Sequence, residues 1–145
     1  MTSPGQDEAA RLGALLAAEH AAIYAYGVLG ARLDDRTRVL AQEADDAHRA
    51  SRDAVTALLA ARSAPAPATL AAYDVAAADQ AEALALAVRV EEGLAVRWRD
   101  LVGSTDDREL RRSAATGLTA AAVRATGWRA AIGGPRTVPM PGTAG

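Results

Sequence analysis

Residues 12–33 of the 145-residue chain read LGALLAAEHAAIYAYGVLGARL, and this stretch decides the fold. Its larger apolar side chains recur at intervals of four and three residues, which is the spacing of one face of an α-helix. The positions on that face are Leu12, Leu16, Glu19, Ile23, Tyr26, Gly30 and Leu33. We therefore predict a long amphipathic helix that carries one carboxylate, Glu19, in the middle of its buried face.

The rest of the chain predicts three more helices of similar length. The four predicted spans are about 7–33, 35–62, 79–102 and 105–132. Asp35 and Asp79 are suitable N-caps for the second and third helices, and Ser104 or Thr105 for the fourth. Gly133, followed by Gly134 and Pro135, should end the last helix. Residues 1–134 are thus expected to form one bundle domain, and residues 135–145 a flexible C-terminal tail.

The connections between these helices are short, long and short. The first and last are tight turns, so each should join an antiparallel pair. The middle connection, residues 63–78, contains Pro65 and Pro67 and is long enough when extended to cross the whole bundle. This pattern predicts an all-α, ferritin-like four-helix bundle of two antiparallel hairpins joined by a long crossover. The alternative is a plain up-down bundle with a loose middle loop.

Composition restricts the possible functions. Half of the residues are apolar, which is enough for a core, although Phe is absent. Cys is also absent, and its absence excludes disulfides and thiolate metal sites. The net charge is −2 without a basic face, so we expect no nucleic-acid partner. We also expect no membrane partner and a cytoplasmic location, because residues 1–6 lack the pattern of a signal peptide and no uncharged apolar stretch has spanning length.

Polar residues interrupt the buried faces near the middle of three predicted helices. Glu91 holds the same place in helix three that Glu19 holds in helix one, and His48 lies on the flank of the buried face of helix two. Buried carboxylates need partners. Di-metal carboxylate bundles combine single glutamates with Glu-x-x-His pairs, and Asp45-x-x-His48 is a shortened version of such a pair. A metal, if present, would therefore be held by Glu19, Asp45, His48 and Glu91.

Helix four does not supply its half of such a site. After Glu109 it contains no Asp, Glu or His, and Arg124 is the cation nearest to the depth of the two glutamates. A guanidinium stays charged and can bind a carboxylate, so Arg124 could replace a metal cation. We therefore predict a buried polar cluster of Glu19, His48, Glu91 and Arg124, with no catalytic residue and no cofactor. The alternative is an iron or manganese site.

Three sequence segments resemble a small ferritin-like family of high-GC bacteria that has no assigned function. They are Glu19-His20-Ala-Ala-Ile-Tyr24-Ala-Tyr26-Gly27, His48-Arg49-x-x-Arg52-Asp53 and Ala-Val-Arg124-x-x-x-Trp128-Arg129. The resemblance implies the ferritin-like fold and often a dimer, but no established activity. Glu19, His48 and Glu91 match three positions of the wider superfamily's metal motif, whereas the helix-four pair has no match.

A second apolar stripe on helices one and three suggests a further buried surface. Its members are Leu15, Ala18, Ala22, Ala25 and Leu29 on helix one, and Ala83, Leu86, Val90 and Gly93 on helix three. We therefore expect a homodimer that uses these helices. Two functional classes remain: a non-enzymatic interaction or small-ligand-binding module with a degenerate metal site, or a metal-dependent oxidoreductase with a reduced or partner-completed site.

Overall fold

Four long helices make up most of the chain. The computed structural model describes residues 3–133 and Gly142. Its elements are α1 (Pro4–Gly30), α2 (Asp35–Ala61), α3 (Gln80–Ser104) and α4 (Arg108–Ile132). No strand occurs in these residues, so the prediction of an all-α chain of four helices is confirmed. Of the predicted tail, only Gly142 falls within the described residues.

The starts of the helices follow local capping. Helix α1 begins a few residues earlier than predicted because Ser3 and Gln6 form a capping box. Asp34, rather than Asp35, caps α2 by accepting from the Thr37 amide. Asp79 caps α3 as predicted. Each cap satisfies backbone amides that have no partner within the helix.

The turn between α3 and α4 lies further along the chain than predicted. Helix α3 continues through Gly103 to Ser104, and the Thr105 amide still bonds to the Leu101 carbonyl. Asp107 replaces Ser104 or Thr105 as the cap of α4, because its carboxylate accepts from two amides of the first turn. Gly133 ends α4 in the left-handed conformation, with φ of 86°, as a C-terminal glycine should.

Contacts at the two ends of the bundle define the directions of the helices. Arg62, at the end of α2, lies 2.8 Å from Glu8 at the start of α1. At the opposite end, Gln80 at the start of α3 bonds to Asp34 in the α1–α2 turn, with a distance of 3.0 Å from the Asp34 amide. Helices α2 and α3 therefore run in the same direction, and the segment between them passes from one end of the bundle to the other.

The connecting segment is held against α1. The Tyr73 ring lies 5.5 Å from the Tyr24 ring, centroid to centroid. Arg32 donates from Nε to the Ala77 carbonyl at 3.2 Å. Helix α1 thus contacts the connection on its outer side, while it packs against α2 and α3 on its inner side, and α3 packs against α4.

The core consists of two apolar clusters separated by a polar layer. One cluster lies towards the Glu8 end and includes Leu12, Trp98 and Leu101. The other lies towards the Asp34 end and includes Leu29, Leu84 and Trp128. Glu19, His48 and Glu91 are all buried between the two clusters. Four helices therefore surround one buried layer of ionisable groups.

Part of the second apolar stripe is buried between α1 and α3. Leu15, Leu29 and Ala83 are 0% exposed, because α1 and α3 pack against each other through this stripe. Other members of the stripe, Ala18, Val90 and Gly93, line an open groove between α1 and α3, so the homodimer stays a prediction. Leu40 of α2 and Ile132 of α4 lie outside the core, because they are 42% and 51% exposed.

Helix α1 is long and apolar enough to span a membrane when judged by length and composition alone. The same is true of many core helices of soluble proteins, and 44% of its most apolar 18-residue window is buried inside the bundle. This finding is therefore weak support for a membrane segment.

Candidate functional site

His48 lies at the centre of the polar layer and bridges two carboxylates. Its side chain is fully buried, with Nδ1 2.8 Å from Oε2 of Glu19 and Nε2 2.9 Å from Oε1 of Glu91. A neutral imidazole carries one ring proton and can donate only once, whereas an imidazolium donates from both nitrogens. Two carboxylate acceptors therefore favour the charged form of His48.

The pKa of His48 agrees with this geometry. Burial alone would lower the pKa, but the hydrogen bonds to Glu19 and Glu91 and their negative charges outweigh burial and raise it to about 9. For Glu91, burial opposes ionisation, yet the hydrogen bond and charge of His48, with help from Arg124 and Tyr26, lower its pKa overall. Near neutral pH the layer thus holds an imidazolium between two carboxylates.

The helices bring these three groups together because each lies near the middle of its own helix. Glu19 is in α1, His48 in α2 and Glu91 in α3, and helices of about equal length share their mid-depth when aligned in a bundle. Each residue also lies on the inner face of its helix, so the side chains meet at one level.

Glu19 has a second partner in α2. Ser51, one turn after His48, donates from Oγ to Oε1 of Glu19 at 2.6 Å. Both oxygens of this carboxylate are therefore satisfied by side chains of α2, and α1 is fixed to α2 through directional bonds.

Two aromatic residues complete the environment of Glu91. The Tyr26 hydroxyl donates to Oε1 of Glu91 at 2.6 Å and accepts from the Trp128 indole N–H at 2.9 Å. Burial, followed by the charge of Glu91, raises the pKa of Tyr26, so its hydroxyl keeps its proton. The Tyr26 hydroxyl does not reach water, because the residue is 3% exposed and its oxygen bonds inside the bundle.

Arg124 lies at the edge of the polar layer. Its Nε is 3.0 Å from Oε2 of Glu91, but its side chain is 24% exposed, and no contact with Glu19 occurs among the described residues. The N–H does not point along this line, since neither of the two atoms makes a hydrogen bond. Arg124 thus contributes charge to Glu91, whereas His48 makes the directional bonds that we had expected from the guanidinium.

Asp45 does not join the cluster. Its Oδ2 pairs with Arg49 Nε at 2.8 Å, and its side chain is 27% exposed. The i,i+4 spacing favours this surface pair over an inward position. The predicted four-residue metal ligand set is therefore corrected: Glu19, His48 and Glu91 meet, and Asp45 stays outside.

The residues present do not fit the metal centre expected for a di-metal bundle. Among the residues that the structure describes, no three Asp, Glu or His side chains are arranged to hold a metal ion. The physical reason is that each ring nitrogen of His48 already faces a carboxylate oxygen at hydrogen-bond distance. A metal needs a nitrogen lone pair, so His48 would have to give up a hydrogen bond to Glu19 or Glu91 before it could bind an ion.

The further side chains that bond around the two glutamates were not predicted from the sequence. Ser51, Tyr26 and Trp128 were not among the predicted members of the polar cluster. A hydroxyl on a core-facing position and two amphipathic aromatics at the depth of a buried glutamate were the available signals. Their pairing could not be predicted, because it depends on how α1, α2 and α4 align.

Fold and site together define a four-helix bundle that encloses an ion-paired histidine. This chain belongs to the family described as Domain of unknown function (DUF4439), whose family model matches residues 11–145. It is similar to the crystal structure of a conserved hypothetical protein, Rv2844, from Mycobacterium tuberculosis. The two share 37% identity over 96% of this chain and 100% of the other, with a TM-score of 0.87. No curated protein matches the chain.

Proposed function

We propose that this chain is a ferritin-like bundle in which a protonated histidine fills the place and the charge of a metal. Supporting the ferritin-like assignment are the parallel course of α2 and α3 and the glutamates at mid-depth in α1 and α3. On this proposal the domain is a non-enzymatic interaction or small-ligand-binding module.

The observation that carries the proposal is the contact of both His48 nitrogens with carboxylates. The charges of Glu19 and Glu91 are balanced by the His48 imidazolium and the nearby Arg124 guanidinium. A divalent cation would have to displace a proton and would add positive charge to a layer that is already neutral. The degenerate site is therefore better suited to holding the helices together than to redox chemistry.

A metal-binding experiment separates this proposal from a metal-dependent oxidoreductase. We expect purified protein, dialysed against excess Mn²⁺ or Fe²⁺ near neutral pH and then washed, to retain far less than one ion per chain in elemental analysis. The Glu19→Gln/Glu91→Gln variant is the matched control and should retain the same background. Two ions per wild-type chain that disappear in this variant would favour the oxidoreductase instead.

The proposal includes a homodimer in the cytoplasm, without nucleic acid or membrane as a partner. Support for self-association comes from an apolar groove between α1 and α3, which is lined by Ala18, Val90 and Gly93 of the second apolar stripe. Light scattering at several hundred micromolar should therefore give twice the chain mass. A mass equal to one chain under these conditions would contradict the homodimer.

A further inference from the structure

The outer side of α4 carries no charge over roughly four turns. Between Arg112 and Arg129 the helix has a single ionisable side chain, Arg124, and that side chain turns inward to Glu91 of the polar layer. Helix α4 packs mainly against α3, so much of its surface faces away from the bundle. A long uncharged face of this kind is typical of a surface that another group covers.

The polar groups on this side of α4 are already bonded within the helix. The hydroxyls of Thr119 and Thr126 each donate to the carbonyl four residues earlier, at 2.9 Å, so covering them requires no new hydrogen-bond partner. Together with Leu118, Ala122 and Val123 they line a shallow hollow of about 370 Å³. This hollow therefore suits an uncharged, apolar occupant.

Gly142 shows where the C-terminal part of the chain meets the bundle. A Cβ atom at this position would lie 2.8 Å from the Ala95 carbonyl oxygen and 2.9 Å from Cβ of Arg99, both in α3. The φ angle of Gly142 is 85°, which is in the left-handed region that favours glycine. Close approach to α3 and backbone conformation thus both require a glycine here.

The contact of Gly142 with α3 lies beside the hollow on α4. Helices α3 and α4 are aligned by the ion pair of Glu92 with Arg129 and by the Trp98 ring, which lies against Gly117. This alignment places the Gly142 contact at the level of the middle turns of α4, roughly 18 Å from the end of that helix. The nine residues from the end of α4 to the contact can span roughly 30 Å. The chain is therefore long enough to return along α4.

The C-terminal segment, residues 134–145, has the composition that the hollow requires. Val138 and Met140 are its large apolar side chains, and Arg136 is its one charged side chain. Three of its twelve residues are proline, which has no N–H group that would need a partner when covered. The family model extends through residue 145, so this segment is part of the family domain.

We propose that residues 134–145 dock into the hollow beside α3, with Val138 and Met140 against Leu118 and Ala122. The segment thus covers part of α4, instead of forming the flexible tail that the sequence alone predicts. The chain's own segment is the favoured occupant because Gly142 already lies next to the hollow. The docking uses neither the polar layer nor the α1–α3 groove, so it can fail without affecting the function proposed above.

Limited digestion of the full-length protein with trypsin tests the docking, because trypsin cleaves after arginine and Arg136 lies inside the segment. We expect Gly142→Ala to accelerate cleavage after Arg136 roughly 10-fold, since a left-handed alanine against α3 opposes docking and cleavage follows the open population. Gly127→Ala is the matched control, because a Cβ atom there meets nothing within 4 Å. Mass spectrometry measures the rates, and circular dichroism checks that each variant is folded.

A second variant tests the surface of α4. Ala122→Glu places a charge in the hollow and should also accelerate cleavage after Arg136, whereas Ala57→Glu, at an exposed position of α2, should not. Unchanged cleavage in either Gly142→Ala or Ala122→Glu would overturn the docking, because both surfaces must take part. So would a change in the sedimenting mass of Ala122→Glu at an unchanged cleavage rate, since a second copy would then occupy the hollow.

Discussion

A chain with His48→Leu is expected to lose about 3–5 kcal/mol of unfolding free energy near neutral pH, as when one partner is removed from a buried ion pair. Glu19 and Glu91 would remain buried without the cation that links them, and the leucine offers no donor. Ser51 and Tyr26 would still donate to them, but two neutral hydroxyls do not balance two charges. Chemical denaturation monitored by circular dichroism measures this loss.

The control for His48→Leu is a variant that restores its stability. Adding Glu19→Gln and Glu91→Gln removes both charges together with the imidazole, so most of the lost stability should return. His20→Leu tests whether any histidine would behave in this way, because His20 is only partly buried and lies outside the polar layer. We expect that change to be within about 1 kcal/mol of neutral. If His48→Leu were equally mild, His48 would not be the cation of this layer.

Raising the pH should destabilise the wild-type protein by about 3 kcal/mol between pH 6.5 and pH 9.5, because His48 has an ordinary pKa of 6.5 and a folded-state pKa of about 9. A group whose pKa is raised by folding contributes stability that is complete below its unfolded pKa. This contribution is lost as the pH rises through the folded pKa. Denaturant melts at several pH values across this window measure the change.

The composition of the chain keeps this alkaline window free of most other titrations. Cys is absent and so is Lys, and the pKa of His20 is lowered by burial and by the charge of Arg52, so His20 titrates at more acidic pH. The triple variant Glu19→Gln/His48→Leu/Glu91→Gln should therefore show little change across the same range. Equal slopes for wild type and triple variant would mean that His48 is neutral when folded.

Acid should act on Glu91 in the opposite direction. Its folded-state pKa is lowered, so its contribution is present above the unfolded pKa of a glutamate and is lost as the pH falls through the folded value. Together with His48, this places the greatest stability on the mildly acidic side of neutrality.

The helical fold could be predicted because its signals are local. Spacing of apolar residues, capping aspartates and a terminal glycine each act within a few residues, and they placed four helices with small errors at the ends. The errors arose where two local signals competed. Asp107 prevailed over Ser104 and Thr105 as the cap of α4, and Gly103 did not stop α3. Which residue caps the helix depends on how the turn packs. Here the buried Thr105 hydroxyl donates to Glu8 at 2.6 Å.

The polar layer was only partly predictable. A carboxylate in the centre of an apolar stripe indicated burial, and equal helix lengths indicated a common depth. The partner of each group was not fixed by these signals, because it depends on the rotation of α2 and α4 about their axes. That rotation brings His48 rather than Arg124 between the glutamates. It also turns Asp45 towards Arg49, which removes the fourth expected metal ligand.

The bridge made by His48 also determines the longitudinal register of the helices. Apolar contacts are not directional, so sliding one helix by a turn, roughly 5.4 Å, would exchange many contacts among the buried Ala and Leu side chains for similar ones. The same slip would separate His48 from both carboxylates and leave buried charges unpaired. A single polar group at the core of a coiled coil can fix register in this way. The triple variant should therefore keep its helix content but show broadened side-chain signals in NMR spectra. Sharp, well-dispersed signals would show that the apolar core alone selects one alignment.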